Sequence, residues 1–179
     1  MAQQHTVRLS VNAPGEGPGA AGDQPFEDTP AGQRARVARL LGLLRDMPEV
    51  ERATAAVNAP YGSSSWTSNV EVGGRSYEFG ANQADDAFAD TMQLHVTRGR
   101  WFGPADDGAA WTPTVINERL AREMFGGQDP VGRLVEEDPP KIPLREPRPS
   151  MRIVGVISDF RRAGELEPAE NYAFQRNNL

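Results

Sequence analysis

The stretch from Thr112 to Phe160 constrains the fold most, because it reads as one strand, helix, turn and strand in succession. Thr114-Val115-Ile116 is a β-branched run suited to a packed strand. Asn117 follows as an N-cap, able to accept from the free N–H groups of a first helical turn, and Glu118 suits the positive end of the helix dipole. Leu120, Ala121, Met124 and Phe125 then share one face of a short helix over 118–125. Gly126-Gly127 permits the left-handed residue that commonly ends a helix. Asp129-Pro130 starts a turn, Gly132 allows a tight approach, and Arg133-Leu134-Val135 extends again. After a proline-rich loop, Ile153-Val154-Gly155-Val156-Ile157 is the most apolar strand of the chain, and Ser158-Asp159-Phe160-Arg161 leads it into a loop. These are packing residues.

Earlier segments supply further elements. His5 to Val11 alternates, with Val7, Leu9 and Val11 on one face of a half-buried strand. Asn12 to Asp28 is rich in Gly, Pro and Ala and reads as a long loop. Thr29-Pro30 starts a helix in which Val37, Leu40, Leu41 and Leu44 form an apolar stripe, with Arg34, Arg36, Arg39 and Arg45 largely away from it. Met47-Pro48 ends that helix, and Val50 to Val57 reads as a second strand. Pro60 to Ser68 is expected as a polar loop. Gly73-Gly74 predicts a two-residue hairpin turn, since both residues tolerate positive φ. Val72 then faces Arg75 and Val70 faces Tyr77, so that Val70, Val72, Tyr77 and Phe79 share one apolar face. Asp85 to Gln93 is expected as a short helix and Leu94 to Thr97 as an extended segment. Glu136 to Ser150 holds Pro139, Pro140, Pro143, Pro147 and Pro149, which exclude regular structure.

Each motif with a chemical reading has a plainer one beside it. Gly15-Glu16-Gly17-Pro18-Gly19-Ala20 formally fits a dinucleotide fingerprint, but Pro18-Gly19, Gly22 and Pro25 deny it the helix whose N–H groups would meet a pyrophosphate. Ser63-Ser64-Ser65 lacks the sharp turn of a nucleophile, and the only histidines are His5 and His95. His95 is read as a structural or surface residue. Asp106-Asp107 gives too few oxygens for calcium without further ligands. A hydrolase built on Asp85, Asp86, Asp106 or Asp107 would need one carboxyl raised in pKa by burial, and all four sit in polar segments. The sequence thus assigns no catalytic, cofactor-binding or metal-binding residue. Trp66, Trp111 and the 136–150 arm are the candidates for partner contact.

The net charge of −6 argues against a polyanion held on a broad basic face, so no nucleic-acid partner is expected. There are no cysteines, hence no disulfide and no thiolate–metal site. A 38% hydrophobic content with 18 Gly and 15 Pro implies a modest core with many loops. No apolar run approaches the roughly 18 residues of a membrane span, and no secretory h-region follows Met1.

Taken in order, several motifs resemble one family. Val115-Ile116-Asn117-Glu118, Ala121-Arg122, Phe125, Gly127 and Asp129-Pro130-Val131-Gly132 are similar to the MacB-type periplasmic core domain of ABC-transporter permeases, within the FtsX-like superfamily. Ile153-Val154-Gly155-Val156, Asp159-Phe160, Pro168, Asn171-Tyr172 and Phe174 resemble it too, as do Leu44 to Val50 and Gly99-Arg100-Trp101-Phe102 with Asp106-Asp107. The resemblance covers roughly residues 5 to 175.

It implies a domain carried between transmembrane helices on the extracytoplasmic, periplasmic side of the membrane. The chain would then be a soluble piece excised from a larger membrane protein, with an added Met1, rather than a natural soluble fragment. The expected fold is α+β with two subdomains: residues 1–59 as the N-terminal part of a porter-like module, 60–160 as a mixed Sabre-like subdomain, and 161–179 returning towards the first, apparently incomplete. The expected function is non-catalytic mechanotransmission, passing ATP-driven motion to a periplasmic partner or substrate. A separate cytoplasmic ATPase and the permease's own transmembrane helices are the implied partners, and an unpaired sheet edge would favour a homodimer. The alternative is a free-standing extracytoplasmic ligand- or peptide-binding or sensor domain.

Overall fold

The computed structural model describes residues 29–58, 66–137, 149–161 and 168–177. Its elements in chain order are α1 (Pro30–Arg45), β1 (Trp66–Val72), β2 (Arg75–Ala84), α2 (Phe88–Thr91), β3 (Val96–Gly99), β4 (Thr112–Asn117), α3 (Glu118–Phe125), β5 (Leu134–Glu137), β6 (Met151–Ile157) and β7 (Tyr172–Arg176), with a 3-10 turn at Pro104–Asp106. The expected strand at 5–11, the loop at 12–28, Ser63 to Ser65 and residues 138–148 of the arm lie outside the described residues.

The strands form one mixed sheet in the order β3-β6-β4-β7-β2-β1-β5. β4 and β6 run parallel, Thr112 beside Met151 and Asn117 beside Ile157, with α3 in the crossover between them. β6 shares its other edge between two strands. β3 covers Gly155 to Ile157, and β5 covers Met151 and Arg152. Because β5 also pairs with Val70 and Glu71 of β1, the sheet closes back on itself. Closure satisfies edge N–H and C=O groups that would otherwise invite another chain.

Both faces of the sheet are covered, so β4 and β6 are buried almost continuously rather than at alternate residues. On one face Leu120, Ala121, Met124 and Phe125 of α3 pack with Val70, Phe79, Val135, Met151 and Ile153. On the other, Val115, Val154, Ile157 and Phe174 meet Phe88, Phe102 and Trp101. A register shift in β6 puts Ile153 and Val156, three apart, on the α3 side. Phe174 is the centre of an aromatic group, with ring centroids 5.3 Å from Phe88, 5.5 Å from Trp101, 5.2 Å from Phe160 and 5.1 Å from Tyr172. Tilted and edge contacts of this kind add about 0.5–1.5 kcal/mol each beyond burial.

The hairpin has the expected register. Val72 pairs with Arg75, Val70 with Tyr77, and Gly73 and Gly74 take φ of 61° and 76°. It is longer than expected, since Trp66 to Ser68 belong to β1 rather than to a loop. Helix 118–125 appears with its predicted bounds. Two expectations change, and one strand is new. Val50 to Val57 is held to the body by an isolated bridge, Ala56 to Ala84, rather than as a full strand. The helix at 85–93 shrinks to the four residues of α2, because Asp85 is drawn inward to cap other groups. β7, which carries no alternating pattern, lies in the middle of the sheet between β4 and β2. The expected α+β class therefore holds as a mixed α/β sheet with few helices.

α1 starts as predicted, with the Thr29 hydroxyl accepting from Gly32 N–H at 3.1 Å and Pro30 in the first turn. Its stripe is only partly covered. Leu41 is 7% exposed and Val37, Leu40 and Leu44 are half-buried, while Leu43 and Met47, outside the stripe, are exposed.

Candidate functional site

The four aspartates singled out in the sequence are brought together at one end of the sheet. β2 runs out into Asp85-Asp86, the 3-10 turn ends in Asp106-Asp107, and β7 ends on Arg176. In each Asp-Asp pair the first residue is buried and the second exposed. Asp85 accepts from the Thr54 hydroxyl and, at 3.2 Å, from Ala55 N–H, and it lies 3.7 Å from the Arg45 guanidinium of α1. Asp106 accepts from both Nη atoms of Arg100, at 2.7 and 2.5 Å, and from Gly103 N–H at 3.0 Å. Asp86 and Asp107 converge on Arg176. Its Nε and Nη2 donate to the two oxygens of Asp86 at 2.7 and 2.8 Å, and Nη1 donates to Asp107 at 2.6 Å.

This geometry decides the electrostatics. Hydrogen bonds from Arg100 hold the Asp106 carboxyl below the usual carboxylate range, against the opposing effect of burial. Asp86, with help from Asp107, raises Arg176 above the usual guanidinium value although its side chain is only 8% exposed. The carboxylate pairs are thus spent on holding guanidinium groups and loop N–H groups. Asp106, the most enclosed of them, is pushed away from the raised pKa that a general acid needs.

Beside this cluster lies an open depression of about 1000 Å³ between α1 and the α2 segment. Leu41, Arg45, Arg52, Asp85, Asp90 and His95 line it. Arginines span it. Arg45 donates to the Ala53 carbonyl at 3.0 and 3.3 Å, and Arg52 donates to the Asp90 carbonyl at 2.8 Å. His95 is exposed on its wall.

The other sequence candidates are dispersed. Trp66 packs half-buried against the α3-side core, in a smaller cleft of about 510 Å³ with Glu78, Arg119 and Asn171. Trp111 packs against the opposite core, with the Arg152 guanidinium 5.0 Å above its ring. The sheet separates them. The sequence names the aspartates, Arg45 on the helix face and Arg100 in the 99–102 motif without pairing them, and no local pattern announces Arg176, which lies 69 and 90 residues from the two aspartates it joins.

A model of the MacB-like periplasmic core domain matches residues 2–174. The chain belongs to this family. Solved structures with a similar fold include the periplasmic region of MacB from Actinobacillus actinomycetemcomitans, at 16% identity and a TM-score of 0.54 over 78% of this chain and 54% of that one. The extracellular domain of the noncanonic ABC-type transporter YknZ from Gram-positive bacteria has 15% identity and a TM-score of 0.52, over 76% and 59% of the two chains. A domain of a putative permease protein from Porphyromonas gingivalis has 23% identity and a TM-score of 0.51, over 75% and 54%. No curated protein matches. The chain spans little more than half the length of each of these solved domains. As a MacB-like periplasmic domain of an ABC-transporter permease, it has, among the described residues, no helix long and apolar enough to cross a membrane.

Proposed function

We propose that this domain is a non-catalytic transmitter: it passes ATP-driven conformational change in the permease to a periplasmic partner or substrate. The observation that carries the reading is how the buried polar side chains are used. Asp85, Asp106, Asn82 and Asn117 each bond to groups of their own chain. A body so tied moves as a unit, which transmission requires. On this reading the ATPase is a separate cytoplasmic subunit or domain, and the domain's direct partners are the permease's own transmembrane helices and a periplasmic protein. Residues 1–59 form the N-terminal part of a porter-like module, residues 60–160 the Sabre-like subdomain, and 161–179 lead back towards the first. Trp66, Trp111 and the 136–150 arm remain the proposed contact points.

The test uses the full-length permease with its ATPase in membrane vesicles. Removing residues 66–176 should leave ATP hydrolysis running while transport or partner activation is lost. Transport that continues unchanged without the domain overturns the reading. The open depression beneath α1 favours one alternative, a free-standing binding or sensor domain. A reading frame with no apolar spans of about twenty residues on either side of the 179 would select that alternative.

A further inference from the structure

The C-terminal end of β7 is joined to two distant parts of the molecule through one side chain. Arg176 closes a strand that lies between β2 and β4, in the middle of the sheet. Its guanidinium grips Asp86 with two hydrogen bonds and Asp107 with a third. Each of these aspartates is covalently next to the buried one that organises its own neighbourhood. Asp85 holds Thr54, Ala55 and Arg45, which leads to α1. Asp106 holds Gly103 and Arg100, which leads to the β3–β4 connection. A planar fork with five donors can serve both carboxylates at once, whereas an ammonium group is a single point charge. The Arg176 side chain is 8% exposed, while Asp86 and Asp107 are 38% and 71% exposed, so the Asp107 pair is the more open to screening by salt.

We propose that Arg176 is a coupling residue, a two-armed clamp that makes the positions of α1 and of the 100–108 turn follow the C-terminal end of β7. One arm runs from Arg176 through Asp86 and Asp85 to the 53–55 segment and Arg45. The other runs from Arg176 through Asp107 and Asp106 to Arg100. Its use in the permease rests on the transmission reading, but the coupling itself is a property of the 179-residue chain. The two arms are separable by mutation, because each enters the guanidinium through its own carboxylate. A longer hydrogen bond, from Trp101 Nε1 to the Asp85 carbonyl at 3.4 Å, joins them elsewhere and involves neither Asp86 nor Asp107.

Hydrogen–deuterium exchange of the 179-residue chain, read by mass spectrometry, tests this directly. Arg176→Gln should raise exchange about tenfold in both 30–57 and 100–108, while β4 and β6 keep their protection. Asp86→Asn should loosen 30–57 and leave 100–108 as it was. Asp107→Asn should do the reverse. Arg176→Lys should fall between wild type and Arg176→Gln. A uniform rise that includes 114–117 and 153–157 would mean that Arg176 only stabilises the fold, and it overturns the proposal. So does an unchanged 30–57 in Arg176→Gln, or the same pattern from both aspartate variants. Should Arg176→Gln fail to fold, the contrast between Asp86→Asn and Asp107→Asn decides alone. Transport that is indifferent to the domain would refute the transmission reading and leave this exchange pattern standing.

Discussion

Asn117 offers the sharpest stability test, because its side chain does two jobs that can be separated. It is fully buried at the N-cap of α3, and its Oδ1 accepts from Leu120 N–H at 3.2 Å. The same oxygen accepts from Tyr172 N–H at 3.1 Å, and Nδ2 donates to the Glu170 carbonyl at 2.7 Å. An ordinary N-cap is worth about 1 kcal/mol. Removing the side chain also takes away the acceptor of the buried Tyr172 N–H, at a cost of about 1–2 kcal/mol. The Glu170 carbonyl, beside an exposed side chain, recovers part of its loss from water. Asn117→Ala should therefore cost about 3 kcal/mol, against about 1 kcal/mol or less for Thr29→Ala, which removes the exposed cap of α1. Urea unfolding followed by far-UV circular dichroism measures both, with an unchanged m-value as the check that only stability moved. Equal costs for the two variants would refute the reasoning, since Asn117 would then be a cap and nothing more.

Gly155 and Asp106 give two further tests. A Cβ at Gly155 would run into the backbone carbonyl of Arg100, so Gly155→Ala must push β3 off β6; it should cost about 2–3 kcal/mol in the same urea assay, where a mutation confined to the surface costs about 0.5 or less. Asp106 is depressed in the folded state, so its contribution is present above the unfolded carboxylate pKa of about 4 and is lost as pH falls through the lower folded value. Thermal melts between neutral pH and pH 2 should show a shallower acid loss in Asp106→Asn than in the wild type, and identical slopes would remove Asp106 from the account.

What the sequence determined by itself was local. Asn117 followed by apolar residues at helical spacing specifies the start of α3, and Gly126, with φ of 61°, marks its end. Gly73-Gly74 between alternating strands specifies a hairpin register, because two glycines take successive positive φ values without strain. The apolar run at 153–157 specifies a central strand. The ordered motifs also pointed to the family. Features that depend on distant partners were not legible. Tyr172–Arg176 has no period that marks it as a strand; it becomes one because β2 and β4 on either side satisfy its backbone groups. Trp66 reads as a loop residue until Ala81 pairs with it. The stripe on α1 predicts an inward face, but its depth is set by the body, which covers Leu41 and leaves Val37, Leu40 and Leu44 half-buried. The same limit applies to the candidate site. Two Asp-Asp pairs are visible in the sequence as charges without an assignment, and their meaning depends on Arg45, Arg100 and Arg176. Sequence spacing fixes periodicity within an element, where neighbours are a few residues apart. Ion pairing is decided by which chain ends the closed sheet brings together, and only the tertiary structure makes that choice.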